Sequence, residues 1–198
     1  KPIEVTQSRI LTFLECPRKE FYRFRAGGHG IVSPKTPIYF LEGDFGHYAL
    51  RHWYESNRML RANMIKRIEK QLLEMTLDPD EYEDYRQKMA AMIGAAHGYK
   101  SHYGPDHQRF EILKVEAPFT IKVGNDKLSG KIDLAVKDKK TGELGFFEHK
   151  FVSAFSVKDY EAIPLRLQGM FYCVGFKELF RQYPNWYQYN FIRKSSLR

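Results

Sequence analysis

Cysteine is nearly absent from this chain of 198 residues, which contains only Cys16 and Cys173, far apart and outside any CxxC pattern. This scarcity argues against a disulfide scaffold, a zinc site or a self-contained cluster site, so we expect reduced thiols. Long apolar runs are missing too, because no stretch approaches the roughly 18 residues of a membrane span. Since no secretory leader is visible either, we expect a soluble, intracellular protein without a membrane partner.

Charge of both signs is abundant, and the basic residues are in excess. The chain has 32 Lys and Arg against 24 Asp and Glu, which gives a formal net charge of +8. Nucleic acid is the first partner that this balance suggests. With 43% hydrophobic residues, the chain can bury one substantial core, so residues 1–198 are predicted to form a single domain. A GxxxxGK[ST] loop is absent, so any helicase or ATPase activity would come from another chain.

Helical periodicity dominates the first half of the chain. Thr6 or Ser8 can cap a first helix, and Pro17 can begin a second one. The segment "FLEGDFGHYALRHWYES" predicts a helix from about Asp44, and "NRMLRANMIKRIEKQLLEM" continues helically. After the break "LDPD", apolar residues at alternating steps of three and four give the clearest helical pattern. The predicted inward positions are Ile10, Leu11, Leu14, Phe21, Phe24, Leu60, Met64, Ile68, Leu72, Tyr82, Tyr85, Met89, Met92, Ala96, Tyr99 and Tyr103.

From Phe110 onward the apolar period changes to two. The segments "FEILKVEAPFTIKV", "KLSGKIDLAVK" and "ELGFFEHKF" predict three strands, and the short polar links "GNDK" and "DKKTG" make them antiparallel neighbours. A helix over "KDYEAIPLRLQGMFYCVGFKELF" and a strand over "WYQYNFIRK" follow. The domain is thus predicted to have a mostly helical part, 1–105, and a βββαβ core, 106–198. The inward positions of the last helix are predicted to be Leu167, Phe171, Val174 and Leu179.

Charged residues stand on two of the predicted strands. Asp133 ends the run "GKID", and Glu148 and Lys150 lie two residues apart on the next strand, so their side chains leave the same face of the sheet. A hairpin turn between the strands brings two carboxylates and one ammonium together. Because isolated buried charges are costly, such a cluster needs ion pairing or a bound cation. Carboxylate oxygens suit Mg²⁺ or Mn²⁺, and the lysine can stabilise a phosphate or orient a water.

These motifs carry a family resemblance. "GKID" followed by "EHK" resembles the two halves of the PD-(D/E)xK nuclease motif, and the surrounding pieces resemble its RecB-like exonuclease branch. "SRILTFLECPRKEFYRF" is similar to the opening helix with its Cys-Pro-Arg signature, and "GDFGHYAL" to the Gly-xx-His-xx-Leu helix. "KVEAPFTI" supplies an acidic residue before the first hairpin, and "QGMFY" matches the Gln-xxx-Tyr motif. Six pieces in the family's order span nearly the whole chain.

The fold that this resemblance implies is α/β, with a restriction-endonuclease-like core. Its mixed central sheet contains a three-strand antiparallel meander and a further strand after a helix. Helices flank the sheet, and a helical part precedes it. Relatives in CRISPR adaptation hold an iron-sulfur cluster through four cysteines, whereas here only Cys16 stands in a comparable place. We therefore expect no iron-sulfur cluster.

The resemblance also implies catalytic and metal-binding roles for five residues. Asp133 and Glu148 would hold the divalent ion. Lys150 would stabilise the charge that develops on the scissile phosphate and help to activate water. Glu116 would add a ligand or orient a metal-bound water, and His47 would ligate the metal or contact the substrate.

Four more residues are candidates for contacts with DNA. Gln168 and Tyr172 lie one helical turn apart and would reach DNA or support the metal ligands. Packing in the core stays open as their alternative role. Arg18 and Lys19 would bind backbone phosphate.

The implied reaction is metal-assisted hydrolysis of phosphodiester bonds in DNA. By resemblance, exonuclease action in DNA recombination, repair or phage replication is expected, with a helicase or recombination protein as a candidate partner chain. Nothing resembles a base-reading module, so we expect little sequence specificity. Two alternatives stay open: a structure-dependent endonuclease on the same core, and a catalytically silent domain that binds DNA or a partner.

Overall fold

A five-stranded mixed sheet lies at the centre of the computed structural model, which describes residues 3–31, 38–57, 61–75, 77–156 and 167–194. The strands are β1 (Glu4–Thr6), β2 (Phe110–Val123), β3 (Asp126–Asp138), β4 (Leu144–Val152) and β5 (Trp186–Arg193). The helices are α1 (Gln7–Glu15), α2 (Pro17–Phe24), α3 (Ile38–Ser56), α4 (Arg61–Glu74), α5 (Pro79–Tyr103), α6 (Asp106–Arg109) and α7 (Leu167–Phe180). Helices α1 to α6 lie between β1 and β2 along the chain, and α7 lies between β4 and β5.

Strand β3 lies in the middle of the sheet. It pairs antiparallel with β2 along one edge and with β4 along the other, and β5 lies parallel to β4. The predicted meander and the strand after the last helix are confirmed. Strand β1 was not predicted; residues 4–6 lie parallel to residues 127–129 of β3. Three residues are too few to display a two-residue period, so the sequence pattern could not reveal this strand.

Local sequence signals begin the helices. The Thr6 side chain accepts a hydrogen bond of 3.3 Å from the Arg9 N–H, so Thr6 rather than Ser8 caps α1. Helix α2 begins with a proline, as predicted. Asp78 and Glu81 form a reciprocal capping box at the start of α5. These caps supply partners for backbone N–H groups that the helices leave unpaired.

Apolar side chains cover both faces of the sheet. Residues of α3, α4 and α5 pack on one face around Phe147, and residues of α7 pack on the other face around Phe146. Helices thus flank a mixed sheet, which confirms the predicted α/β core. No helix of the described part is long and apolar enough to cross a bilayer. The predicted helical positions that are buried are Met64, Ile68, Tyr85, Met89, Met92, Ala96, Tyr99 and Phe171.

The inward stripe predicted for α1 and α2 is wrong at three of its five positions, because only Ile10 and Phe24 are half-buried. Leu11, Leu14 and Phe21 are exposed, Leu14 by 68%. The buried positions of these two helices are Thr12 and Glu20. The helices therefore turn a polar stripe inward, where ion pairs rather than apolar packing join them, and leave apolar side chains on the surface.

Two further predicted inward positions are exposed. Tyr82 lies in the first turn of α5 and is 44% exposed, since the apolar period begins before the helix reaches its buried stretch at Tyr85. Val174 is exposed because α7 turns Phe171 and Gly175 toward the sheet. The residues that are half-buried are Ile10, Phe24, Tyr103, Leu167 and Leu179.

The predicted start of α3 also needs correction. The helix begins at Ile38 rather than near Asp44 and runs through Gly43. A single glycine costs a helix only about 1 kcal/mol relative to alanine, so it does not end one. The predicted inward residue Leu60, the side chain of Leu72 and the predicted helical residues 157–166 lie outside the described part of the chain.

Candidate metal centre

The pairing of β3 with β4 ends at the point where their charged residues lie. Their ladder ends with Leu134 beside Phe147, and beyond it β4 pairs only with β5 among the described strands. Asp133 and Glu148 are the next residues on the two strands. The Asp133 side chain bridges the opening, since its Oδ2 accepts a hydrogen bond of 2.8 Å from the backbone N–H of His149. Both carboxyl groups therefore lie at a split in the sheet.

Helix α3 brings an imidazole to this split. His47 Nδ1 lies 3.4 Å from Glu116 Oε1 and 3.5 Å from Asp133 Oδ1. Ligand atoms of these three residues all lie within 4.8 Å of one another. Gly46 permits the close approach of α3, because a Cβ there would lie 2.3 Å from the ring of Phe151 on β4. One nitrogen and two carboxylate oxygens thus converge from a helix and two strands.

Glu116 enters this group through an unusual backbone conformation. Its φ is 49°, in the left-handed region, although it lies inside β2. Residues other than glycine pay about 1–3 kcal/mol for such strain, which persists only where surrounding contacts hold it. Lys131 Nζ contacts the Oε2 atom of Glu116, while Oε1 faces His47. The carboxylate is therefore held between an imidazole and an ammonium.

Glu148 is surrounded by a second set of polar side chains and is only 2% exposed. Its Oε1 accepts hydrogen bonds from Lys150 Nζ at 2.5 Å and from Gln168 Nε2 at 2.7 Å. The same Gln168 amide donates to the Tyr172 hydroxyl at 3.2 Å. Glu148 Oε2 is buried and has no hydrogen-bond partner among the described residues. A buried carboxylate oxygen without a partner is costly, so this atom fits the place of a cation ligand.

The two carboxyl groups at the split are shifted toward protonation. Burial and the charge of Asp133 raise the pKa of Glu148 to about 8, although Lys150 acts in the opposite direction. Burial also raises the pKa of Asp133, against the influence of His47. Both shifts arise because a buried carboxylate is poorly solvated and faces another one. A divalent cation would compensate both charges, and carboxylate oxygens are the ligands that such hard cations prefer.

His47 and Glu116 show that the split attracts positive charge. Burial alone would lower the pKa of His47, but the hydrogen bond with Glu116 and the charge of Asp133 outweigh it and raise this pKa. Burial alone would raise the pKa of Glu116, but hydrogen bonds with His47 and Lys131 outweigh it and lower this pKa. The arrangement of donors and charges is that of an acidic site suited to a metal ion.

A comparison with protein families agrees with this geometry. The family described as the PD-(D/E)XK nuclease superfamily matches residues 4–194. The chain belongs to this superfamily. No curated protein is similar to the chain at a significant level. Since PD-(D/E)XK nucleases use divalent metals, membership and the acidic cluster together support a metal-dependent nuclease.

Arg18 and Lys19, which were predicted to bind DNA phosphate, lie on α2 of this PD-(D/E)XK nuclease and contact neighbouring protein side chains. The Arg18 guanidinium lies 5.8 Å from the ring centroid of Tyr22, and Lys19 pairs with Glu15 at 2.8 Å. Both basic residues are exposed. The predicted residues that the structure brings together at the split are His47, Glu116, Asp133, Glu148, Lys150, Gln168 and Tyr172.

The sequence motifs did not indicate two residues of the candidate site. Lys131 stands two residues before Asp133 inside "GKID", so the two-residue period of the strand could have placed it beside the aspartate. His149 gave no such signal, since the motif assigns roles only to Glu148 and Lys150, on either side of it. Burial, followed by the positive charge of nearby residues, lowers the pKa of His149 to about 3, so its ring is neutral.

A buried polar network lies behind His149. Its ring stacks on that of Tyr54 with 6.0 Å between centroids. The hydroxyls of Tyr54 and Tyr99 lie 2.6 Å apart, and Tyr54 donates a hydrogen bond of 2.8 Å to Asp106. Asn190 donates one of 3.1 Å to Tyr99. These bonds join α3, α5, α6 and β5 in the nuclease, and so fix the helix that carries the site's imidazole.

Proposed function

We propose that this protein is a divalent-metal-dependent DNA nuclease of the RecB-like branch, which acts as an exonuclease in recombination, repair or phage replication. One observation carries the proposal: Glu148 Oε2 is buried without a hydrogen-bond partner in the described part of the chain, and the Glu148 carboxyl group interacts electrostatically with Asp133, whose ligand atoms converge with those of His47 and Glu116. Such costly groups are retained where a cation compensates them. A hairpin with only a structural role has no need of them.

Four side chains would hold the metal. His47 Nδ1, Glu116, Asp133 and Glu148 Oε2 supply one nitrogen and carboxylate oxygens, a set that suits Mg²⁺ or Mn²⁺. When bound between these side chains, the ion would lower the pKa of a water and polarise the phosphodiester. Burial of Asp133 and Glu148 strengthens their attraction for the cation, because the interior screens charge less than water does.

Lys150 would supply a fixed positive charge to the reaction. Its ammonium contacts the buried Glu148, while its side chain is 30% exposed and can meet a phosphate at the surface. There it would stabilise the negative charge that grows in the transition state. Gln168 holds Oε1 of Glu148 from α7, which leaves the other oxygen for the metal.

DNA is the proposed substrate, bound through its backbone. The net charge of +8 and exposed basic residues such as Arg18 and Lys19 support contacts with phosphate that do not depend on sequence. Resemblance to the RecB-like branch supports action from an end. Residues 1–198 contain no phosphate-binding loop for ATP, so we propose a helicase or recombination protein as the partner of this domain.

The test is degradation of end-labelled linear DNA and of covalently closed circular DNA, in Mg²⁺, Mn²⁺ or EDTA. Wild-type protein is compared with Lys150→Ala and with Lys122→Ala, which removes the same charge from an exposed position of β2. We expect loss of linear DNA only, in the presence of metal, by the wild type and Lys122→Ala but not by Lys150→Ala. Cutting of circles would indicate a structure-dependent endonuclease instead. Binding of DNA without cleavage in any metal would contradict the catalytic proposal.

A further inference from the structure

Helices α1 and α2 expose a group of large apolar side chains. We call the α2 part of this group, with its arginines, the hairpin face; it comprises Arg18, Phe21, Tyr22 and Arg25, whose three- and four-residue spacings place them on one side of the helix. Phe13 and Phe21 are exposed by 49% and 46%. The rings of Phe21 and Tyr22 meet edge to face, 5.5 Å apart. Exposed apolar groups of this kind are typical of surfaces that bind a partner.

Cations lie over the aromatic rings of the hairpin face. The guanidinium of Arg18 lies 5.8 Å from the Tyr22 centroid, and that of Arg25 lies 5.7 Å from the Phe21 centroid. Residues 7–25 contain five basic and two acidic residues. Both acidic residues are neutralised, because Glu15 pairs with Lys19 and Glu20 pairs with two arginines. The face therefore combines aromatic surface with uncompensated positive charge.

Helix α1 begins beside the candidate metal centre. Thr6 and Ser8, at its start, line a cleft of about 260 Å³ together with Ser129, Lys131 and Tyr172. Lys131 contacts Glu116, and Tyr172 accepts a hydrogen bond from the amide that holds Glu148. A polymer that occupies the metal centre could thus continue through this cleft and along α1 to the hairpin face.

We propose that the hairpin face binds an unpaired DNA strand, with bases stacked on Phe21 and Tyr22 and phosphates near Arg18. This inference rests on the proposed function, since it takes the nuclease substrate as the occupant. Aromatic rings in a positively charged setting bind single strands without reading sequence, because every base has a face that can stack. Charge favours this occupant over a second copy of the chain, which would bring the same positive surface against itself. In a duplex the bases are already stacked on each other and cannot use the rings.

The test measures binding in EDTA, so that cleavage does not interfere. Fluorescence anisotropy compares a labelled 20-nucleotide thymidine strand with a labelled blunt duplex of 20 base pairs. The variants are Phe21→Ala with Tyr22→Ala, and the conservative pair Phe21→Tyr with Tyr22→Phe. Tyr183→Ala is the matched control, because Tyr183 is an exposed ring with a lysine ammonium 4.5 Å from its centroid.

We expect the double alanine variant to lose at least about tenfold in affinity for the single strand, since stacking contributes roughly 1–3 kcal/mol per base. Affinity for the duplex should change less than twofold. The conservative pair and Tyr183→Ala should bind both ligands like the wild type. Arg18→Gln should reduce the slope of log affinity against log salt concentration for the single strand, by the amount expected for about one phosphate contact.

Two results would overturn the inference. The first is unchanged single-strand affinity in the double alanine variant, whose folding is verified by its circular dichroism and melting temperature. The second is a wild-type dimer in light scattering that the double alanine substitution turns into a monomer, which would assign the face to self-association. Failure of the proposed nuclease function is a separate outcome: cleavage that is absent in Mg²⁺ and Mn²⁺, with the stacking effect intact, would leave this inference standing.

Discussion

His47 on α3 and Asp133 on β3 meet with 3.5 Å between Nδ1 and Oδ1. If both ligate the same ion, loss of the imidazole removes one of four ligands. We predict that His47→Ala weakens Mn²⁺ binding and slows cleavage by at least about tenfold. Isothermal titration with Mn²⁺ and single-turnover cleavage of linear DNA measure the two effects.

A second histidine provides the control for this substitution. His102 on α5 is exposed and contacts the ring of Tyr103. His102→Ala should leave both Mn²⁺ affinity and cleavage within about twofold of the wild type. Equal Mn²⁺ affinity in His47→Ala and the wild type would show that the imidazole is not a ligand.

Gln168 contacts Glu148 Oε1 at 2.7 Å and holds the orientation of that carboxylate. We predict that Gln168→Ala slows single-turnover cleavage by about 10–100-fold, as loss of a partner of a metal ligand commonly does, while DNA binding in EDTA is retained. Tyr172→Phe removes only the hydroxyl that accepts from the same amide. It should therefore slow cleavage less than Gln168→Ala. A Gln168→Ala variant that cleaves at the wild-type rate would assign Gln168 to packing alone.

The parts of the fold that sequence could predict have patterns that persist over many residues. Helix α5 repeats its apolar spacing from Tyr85 to Tyr99, and the meander alternates through two short links, so both follow from periodicity. The approach of Asp133 to Glu148 follows from the hairpin that joins their strands. In each case local spacing determines which side chains share a face.

Other features depend on contacts that spacing does not encode. The positive φ of Glu116 turns its carboxylate toward His47, and nothing in the residue type signals that conformation. The buried stripe of α1 and α2 is built around Glu20 rather than Leu14, because ion pairs between distant residues outweigh the apolar pattern. Such tertiary effects override local preference, so they appear only in the folded structure.

Two glycines of α3 should respond in opposite ways to alanine. A Cβ at Gly43 would meet nothing within 4 Å, so Gly43→Ala should stabilise the fold by about 0.5–1 kcal/mol through helix propensity. At Gly46 the added methyl would collide with the ring of Phe151. That ring packs edge to face on the His47 ring, with 5.9 Å between the two centroids. Gly46→Ala should therefore lower the free energy of unfolding by about 1–3 kcal/mol and slow cleavage. Urea unfolding of both variants measures the difference, and a Gly46→Ala variant as stable as Gly43→Ala would contradict the close contact.

The contribution of Glu20 to the free energy of unfolding should depend on pH. Arg9 contacts its Oε1 at 2.6 Å, and Arg25 contacts its Oε2 at 2.5 Å. Burial alone would raise the pKa of Glu20, but the hydrogen bond from Arg9 and the positive charges of Arg9 and Arg25 outweigh it and lower this pKa. A lowered folded-state pKa means that the pairing stabilises the protein above the unfolded-state pKa of about 4.3. That stabilisation is lost as the pH falls through the folded-state pKa.

We predict that Glu20→Gln lowers the free energy of unfolding by about 1–3 kcal/mol at pH 7, because two arginines lose a buried partner. The difference in free energy of unfolding between Glu20→Gln and the wild type should become smaller below about pH 4.3, since the wild-type carboxyl then takes up its proton. Glu15→Gln is the control within the same helical pair: the exposed ion pair of Glu15 with Lys19 should contribute less than about 0.5 kcal/mol at any pH. Urea unfolding between pH 3 and pH 7 measures all three proteins. A gap between the wild type and Glu20→Gln that does not change with pH would mean that the side chain stabilises α1 and α2 through its shape rather than its charge.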